Sequence, residues 1–338
     1  MKRFLIVATM AMLCLFNADA QKKIPHTVRT SNNSYARRTE IIIPQLKGYN
    51  VYKGDFHIHT SYSDGNVTPA SRVTEAWYDG LDIIAITDHY EGQKGLKNTM
   101  KVLAQLNEDG KPTQIPSTSK TGKVWADFNE IHRQAEAQVE KSGVPLLLIK
   151  GCEMARNAQS HGHFNCLFLK DINAICDKDL FECFRRVKQQ GGFIIHNHPG
   201  WRRPTMDKSD AQVRAYGEGW VDAIEVINGT TLYPQMIDRC VDEKLTITAS
   251  TDVHRPSSQV WSRDCGIFRT MTFILAKECT EKAIREALEK RRTIGYSANN
   301  LIGEEVWLKE FINEAVDCKV VAVNDKKGHR GFKLTNTC

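Results

Sequence analysis

Short apolar runs that end in histidines and carboxylates constrain the fold of this chain more than any other feature of its sequence. The first run ends in Asp55-Phe-His57-Ile-His59-Thr60, and the last is followed by Asp252-Val-His254. Runs between them carry such residues at 87–89, 151–153, 162–165 and 196–199. Strand ends converge on one face of a β/α sheet or barrel, so residues remote in sequence become neighbours there. The pattern predicts an α/β fold with one site that binds several metal ions.

Helical stretches separate many of the apolar runs, as is typical of a β/α fold. Thr68 and Pro69 open one such helix, which ends near Gly80. The run at 144–149 is apolar without alternation, which favours parallel strands with helices on both faces. A distorted barrel and an open sheet both fit this pattern. The strand candidates are 54–60, 82–87, 144–150, 163–169, 192–196, 222–227, 245–249 and 270–276.

The first residues predict a secretory signal peptide over residues 1–20. Met1-Lys-Arg3 is basic, an apolar run follows, and Ala18-Asp19-Ala20 suits cleavage after Ala20. The following polar segment, 21–39, lacks apolar periodicity and is predicted to be flexible. We therefore expect a secreted or periplasmic protein. No later segment approaches the ~20 apolar residues of a membrane helix, so no span is expected after signal removal.

Charge and cysteine spacing indicate which partners to expect. The formal charge of +6 is dispersed in short pairs such as Arg37-Arg38 and Arg291-Arg292, with no basic arm, so we expect no nucleic-acid partner. The cysteines show no C-x-x-C pair and no structural-zinc spacing. Disulfides remain open, including one between Cys318 and Cys338 in a C-terminal extension, residues 316–338. No oligomeric state is predicted.

His57 and His59 stand two residues apart on a predicted strand, so their imidazoles project from the same face, together with Asp55. Asp64 follows in a Ser-Asp-Gly turn, from which its carboxylate can reach the same ions. We expect Asp55 to orient His57, or Asp88 to hydrogen-bond a ligand imidazole, as partners of the metal ligands.

Taken together, these motifs resemble the PHP (polymerase and histidinol phosphatase) superfamily of metal-dependent phosphoesterases. The resemblance spans residues 40–315, and the motifs at 269–273 and 300–305 resemble a secreted phosphodiesterase branch. It implies a distorted (β/α)7 barrel that holds two or three divalent ions at the C-terminal ends of the strands. Glu153 would bridge two of these ions.

Carried over to this sequence, the resemblance implies nine metal ligands. His161 and His196 each precede a proposed ligand by two residues and remain alternatives, but His163 and His198 stand in the better-matching Gly-His-Phe-Asn and His-Pro-Gly motifs. The nine ligands are His57, His59, Asp64, His89, Glu153, His163, His198, Asp252 and His254.

The predicted activity is hydrolysis of a small phosphoester, most readily a phosphodiester, by a metal-activated hydroxide without a protein nucleophile. Mixed histidine and carboxylate ligands suit Mn or Zn, or Fe. Arg202, Arg255 and His196 are the predicted substrate contacts. Two alternatives remain open: a histidinol-phosphatase-like phosphomonoesterase that uses the same site, and a non-catalytic metal-containing binding module.

Overall fold

The computed structural model describes residues 37–90, 127–324 and 329–338. The predicted signal peptide and nearly all of the predicted flexible segment lie outside these residues, so both stay predictions. Among the described residues, no helix is both long and apolar enough to cross a membrane.

Strands and helices alternate along most of the described chain. The strands are β1 (Asn50–Asp55), β2 (Ile83–Ile84), β3 (Leu147–Leu148), β4 (Gly151–Ala155), β5 (His163–Leu167), β6 (Phe193–Asn197), β7 (Ala223–Asn228), β8 (Thr231–Leu232), β9 (Thr246–Ser250), β10 (Met271–Ala276), β11 (Thr293–Ser297), β12 (Asn300–Gly303), β13 (Val316–Asn324) and β14 (His329–Asn336). The α-helices are α1 (Pro69–Tyr78), α2 (Asn129–Ser142), α3 (Leu180–Gln189), α4 (Asp210–Gly217), α5 (Pro234–Asp242), α6 (Glu281–Glu289) and α7 (Glu305–Ala315).

Two six-stranded sheets carry the functional residues. The first has the order β12-β11-β10-β1-β2-β3, and the second has the order β4-β5-β6-β7-β8 with β9 beside β7. The expected parallel pairing holds for β1-β2-β3 and for β6-β7-β9. It is wrong for β5 and β10, which run antiparallel to their neighbours. Too few residues separate β4 from β5 for a helical crossover, so the second strand must turn back.

Single backbone bridges join the two sheets beside the histidine motifs. Ile58 pairs with Val253, and His89 pairs with Glu153. The α/β class is therefore confirmed, whereas the described strands do not form a continuous closed ladder. The seven-stranded barrel stays a prediction.

Helix α1 forms where the sequence predicts it. The Thr68 side chain accepts a hydrogen bond from the Ser71 backbone N–H, and Pro69 occupies the first turn, where its missing N–H is tolerated. Gly80 follows with a φ of +90°, a left-handed conformation that ends helices. The buried face of α1 includes a charged residue, Arg72, as well as apolar ones, and this arginine faces the histidine motifs.

In the C-terminal extension, β13 and β14 pair as an antiparallel hairpin. Cys318 and Cys338 are both free thiols, so they do not form the disulfide that the sequence left open. The other cysteines of the described residues are also free.

Candidate metal centre

The structure brings all nine sequence-predicted ligands into one cluster. Their ligand atoms fall into overlapping groups, in each of which the atoms lie within 4.8 Å of one another. The groups are His59, Asp64, His89 and His254; His57, His198 and Asp252; His57, His59 and Glu153; and Glu153, His163 and His198. Shared members make these groups one continuous centre.

The inner part of the cluster, which we call the inner group, consists of His57, His59, Glu153 and Asp252. The Nε2 atoms of His57 and His59 lie 3.1 Å apart. Asp252 Oδ1 lies 3.2 Å from the first of these atoms and 3.0 Å from the second. The histidines and Glu153 have no exposed side-chain surface. Asp252 is 21% exposed, so the four ligands converge on a site that is buried on the side of His57, His59 and Glu153.

Glu153 contacts opposite sides of the cluster with its two carboxylate oxygens. Oε1 lies 3.2 Å from His163 Nδ1 and 3.4 Å from His198 Nε2. Oε2 lies 3.4 Å from the Nε2 atoms of both His57 and His59. This geometry is what a carboxylate that bridges two ions requires. The Asn197 amide donates to Oε1 over 2.9 Å and holds the carboxylate in this orientation.

Asp64, His89 and His254 form the outer group. Asp64 Oδ1 lies 3.1 Å from His254 Nε2, and Oδ2 lies 3.6 Å from His89 Nε2. The Asp64 and His254 side chains are 34% and 35% exposed, so this end of the cluster is open to solvent. The predicted reach of Asp64 from its turn toward the histidines is therefore observed.

Unsatisfied polar atoms show that the cluster fits a cation. His89 Nδ1, Glu153 Oε2 and His163 Nδ1 are buried without a hydrogen-bond partner among the described residues. The first two atoms lie only 2.8 Å apart, but they are not aligned as a hydrogen bond. Leaving such atoms unpaired costs about 1–3 kcal/mol each. Divalent ions would satisfy them, and this nitrogen and oxygen donor set suits Mn, Zn or Fe.

The outward ring nitrogens of several histidines are held by hydrogen bonds. His163 Nε2–H donates to the Arg156 carbonyl over 3.0 Å, and His254 Nδ1–H donates to the Asp252 carbonyl over 2.8 Å. His59 Nδ1 contacts Ser63 Oγ at 3.2 Å. Such bonds fix the tautomer and leave the other nitrogen to face the cluster.

Opposite charges shift the pKa values of the ligands. Burial opposes ionisation of Glu153, but His89 and His57 hold its pKa well below the usual value. Burial alone would lower the pKa of His57, but the carboxylates of Asp252, Glu225 and Glu153 raise it well above its usual value. Without a cation, the carboxylates and histidines thus neutralise each other.

The pKa of His59 moves the other way. Burial lowers it, and this effect outweighs the hydrogen bond that the His59 ring donates to the Asp252 carboxylate. Burial also opposes ionisation of Asp64 and of Asp252, yet neighbouring histidines depress the pKa of both carboxyl groups. The cluster therefore holds its carboxylates in the charged form that binds cations.

Asp55 holds the backbone of His57, in keeping with its expected role of orienting that residue, whereas Asp88 hydrogen-bonds no ligand imidazole among the described residues, contrary to expectation. Asp88 accepts from the Thr60 backbone N–H over 2.7 Å and from the Ser63 hydroxyl. Asp55 Oδ1 accepts from the His57 N–H over 3.2 Å and from the Thr251 N–H over 3.1 Å. Each carboxylate therefore shapes a ligand-bearing turn.

Two buried arginines tie the ligand-bearing segments together. The Arg72 guanidinium donates to the carbonyls of His59 (2.8 Å) and Val253 (2.9 Å), so α1 joins the two segments on which the inner group stands. Arg269 donates to Asp55 over 2.5 Å and to Asp79 over 3.0 Å. Neither arginine was predicted to have a role, and neither was Glu225. For Glu225 the available indication was a charged residue inside the otherwise apolar run 223–227.

The predicted substrate contacts occupy different surroundings. Arg202 and Arg255 are exposed. His196 is buried outside the metal-binding groups, where its Nδ1 contacts the Tyr216 hydroxyl at 2.7 Å. His161, the other alternative, also lies outside these groups, and its Nδ1 contacts Ser160 Oγ at 2.7 Å. The preferred residues, His163 and His198, are the ones that the structure brings into the cluster.

Comparison with known proteins agrees with this geometry. The sequence profile described as "PHP domain" matches residues 55–223. A two-domain protein from Bacteroides vulgatus, which contains a predicted PHP-like metal-dependent phosphoesterase, is 36% identical with a TM-score of 0.74, covering 89% of this chain and 80% of that one. The chain therefore belongs to the PHP family.

More distant solved structures include a lesion-specific endonuclease from Pyrococcus furiosus. It is 15% identical, with a TM-score of 0.42, and the match covers 71% of this chain and 56% of that one. A likeness this distant carries no argument about activity. The expected absence of a nucleic-acid partner stays a prediction. No curated protein matches the chain.

Proposed function

We propose that this protein is a secreted, metal-dependent phosphoesterase that hydrolyses phosphodiesters. The nine-ligand cluster carries the proposal, because two carboxylate oxygens of one buried residue, Glu153, face separate groups of histidines. Membership in the PHP family and the likeness to a protein that contains a predicted PHP-like phosphoesterase support the same chemistry. Secretion rests on the sequence of residues 1–20.

Divalent ions, when bound, neutralise the anionic oxygens of a phosphoester and activate water at neutral pH. The residues of the chain then have three tasks. The nine ligands hold the charges in place, and the hydrogen bonds of His59, His163 and His254 keep one ring nitrogen of each pointing inward. The buried side chains of His57, His59 and Glu153 close the inner side of the cluster to bulk water. No covalent protein nucleophile is needed.

The position and exposure of Trp201 favour a diester over a monoester as the substrate. Its ring centroid lies 5.2 Å from that of His163 and 5.4 Å from that of His198, and 40% of the residue is exposed. The Arg202 guanidinium lies 4.4 Å from the centre of the same ring. An exposed aromatic wall beside the ligands offers a surface for the second ester group of a diester, and Arg202 offers a positive charge for its phosphate.

Hydrogen bonds at Arg203 and Met206 hold the loop that carries Trp201 in place. Arg203 donates to the Gln159 carbonyl over 2.9 Å, and Arg239 donates to the Met206 carbonyl over 2.7 Å. Arg202, in contrast, has no carboxylate partner among the described residues, so its charge is available to a substrate. We propose the same role for Arg255, which is exposed directly after the ligand His254.

The barrel is part of the same proposal. The bridges Ile58–Val253 and His89–Glu153 stand at the two places where the sheets would meet if they were halves of one distorted barrel. Residues 40–315 would then form the catalytic domain, with the β13–β14 hairpin as an extension.

A phosphoester panel tests the proposal. Purified protein would be chelated, reloaded with Mn²⁺ or Zn²⁺, and assayed on bis-p-nitrophenyl phosphate and on p-nitrophenyl phosphate. We expect metal-dependent turnover with a higher kcat/KM for the diester. A preference for the monoester would favour the histidinol-phosphatase-like alternative. Stoichiometric metal without turnover of any ester would favour a binding module.

Trp201→Ala sharpens this test. Loss of the aromatic wall should raise KM for the diester by about three- to tenfold, the equivalent of 0.5–1.5 kcal/mol of ring contact. The effect on the monoester should be smaller. Trp201→Phe keeps a ring and serves as the matched control. Equal losses on both esters would contradict a contact with the second ester group.

A further inference from the structure

Glu225 is a buried carboxylate in the middle of an apolar strand. It is 1% exposed, and its neighbours in β7, Ile224 and Val226, belong to the hydrophobic core. Burial of a carboxylate is costly unless hydrogen bonds satisfy its oxygens. Among the described residues, every hydrogen bond that the Glu225 side chain accepts comes from a residue of the metal cluster or from Asn228, which itself contacts that cluster.

The first oxygen of Glu225 orients a ligand side chain. Oε1 lies 3.0 Å from His57 Nδ1. A hydrogen bond from Nδ1–H places the free electron pair of the ring on Nε2, the atom that faces Asp252 and Glu153. Glu225 thus sets both the tautomer and the rotation of His57.

The second oxygen fixes ligand-bearing backbone and a second side chain. Oε2 accepts from the His198 backbone N–H over 2.8 Å, at a residue whose φ of +25° is unfavourable for histidine. It also accepts from the Asn228 amide over 2.9 Å. The same amide lies 3.2 Å from Asp252 Oδ2. Through Asn228, Glu225 therefore reaches a third ligand.

An irregularity in β7 makes this arrangement possible. Residues three apart in a regular strand point to opposite faces of the sheet. The pairing of β7 with β9 shifts register between Glu225 and Ile227, which leaves Val226 as an extra residue. Such a bulge re-aims the side chains on either side of it. Glu225 and Asn228 can therefore meet on the face of the metal cluster.

The three ligands that this pair contacts, His57, His198 and Asp252, form one of the metal-binding groups on their own. We infer that Glu225 and Asn228 are positioning residues for the ion in that group and not for the ion of the outer group. The inference rests on the proposed metal centre. It adds that one ion of the cluster depends on a carboxylate that is not itself a metal ligand.

Glu225→Gln is the variant that isolates this role. Glutamine has the same shape, but it carries one carbonyl oxygen and one amide. It can therefore accept on the His57 side or on the His198 side, but not on both. Asn228→Ala is the milder companion, since it removes the contact to Asp252 and one hydrogen bond to Glu225 but leaves the contacts of Glu225 with His57 and His198 in place.

The experiment measures Mn²⁺ binding to the full-length protein after chelation, by titration calorimetry and by elemental analysis of the desalted protein. For Glu225→Gln we expect one ion to bind about 10–100-fold more weakly, the usual effect of losing such a supporting residue. The ion of the outer group should bind as in the wild type, because that group contains none of His57, His198 and Asp252. Asn228→Ala should weaken the same ion to a smaller extent.

Asp222→Asn is the matched control. Asp222 precedes the same strand and also accepts a backbone N–H, that of Ile194, but it contacts no ligand. A control that loses metal as much as Glu225→Gln would overturn the inference, and so would wild-type affinity in Glu225→Gln. If the wild-type protein itself took up no Mn²⁺, the proposed metal centre would fail first. That result is distinct from a failure of the Glu225 role.

Discussion

The inner and outer groups of the metal cluster differ in how firmly the protein holds them. In the inner group His57, His59 and Glu153 are fully buried, and Arg72, Asp55 and Glu225 fix the backbone and side chains around them. In the outer group, Asp64 and His254 are about one-third exposed. The inner group is thus built into the fold, whereas the outer group is accessible to water and to exchanging ions. Substitutions in the two groups should therefore affect stability and metal binding differently.

Glu153→Gln should have the largest effect, because one carboxylate oxygen of Glu153 faces His57 and His59 and the other faces His163 and His198. We expect turnover to fall by about a thousandfold or more, as happens when a central catalytic group is lost. Turnover of the metal-loaded variant is the measurement, and circular dichroism checks the fold. Activity within tenfold of the wild type would show that a bridging carboxylate is not required.

Arg269→Met tests whether the inner group depends on the fold around it. This change leaves the buried Asp55 without its cation, and breaking a buried pair costs about 3–5 kcal/mol. We expect that loss in the free energy of unfolding by urea. The control is Arg285→Ala, which removes a partly exposed pair with Glu289 and should cost below about 1 kcal/mol. Similar losses in both variants would contradict the account.

Asp64→Asn tests the outer group alone. We expect the affinity for one ion to fall at least about tenfold, while the other ions bind as before. The unfolding temperature of the chelated protein should change little, because Asp64 is partly exposed. Metal titration and thermal unfolding measure these two quantities. Loss of all ions together would show that the two groups are not separable.

The pH dependence of stability should reverse when metal is added. In the chelated protein the pKa values of His57, His89 and His254 are raised, so their stabilisation is complete below the unfolded value of about 6.5. It is lost as the pH rises through their folded pKa values. His59, with its lowered pKa, is neutral in both states above about 6.5 and adds no slope there.

Metal ions compete with those protons, so metal affinity rises with pH. We therefore expect unfolding temperatures above pH 6.5 to fall in EDTA and to rise with Mn²⁺. Thermal unfolding across a pH series, with and without EDTA, is the measurement. Parallel slopes in the two series would contradict the idea that protons and metal occupy the same site.

Much of the site could be predicted because histidines and carboxylates at strand ends follow apolar runs that can be recognised in the sequence. His57 and His59 stand two apart after an apolar run, and the structure places them together with the other seven predicted ligands. The supporting residues were not predictable in the same way. Glu225 reaches the cluster only because β7 has an irregular register, and the contacts of Arg72 depend on how α1 packs.

The sheet arrangement could be predicted only in part. Apolar runs separated by helices gave the α/β class, but they do not determine strand direction. The short segment between β4 and β5 was the clue that these strands are antiparallel. The hairpin at the C-terminus has large exposed apolar residues such as Phe332, so its strands lack the buried pattern that identifies a strand.

Metal content together with metal-dependent turnover tests the central claim most directly. Purified protein would be analysed for bound metal, chelated, assayed on bis-p-nitrophenyl phosphate, and assayed again after addition of Mn²⁺ or Zn²⁺. We expect two or three divalent ions per chain, no turnover after chelation, and recovery on reloading. A chain that binds no stoichiometric metal, or that is equally active after chelation, would contradict the central claim.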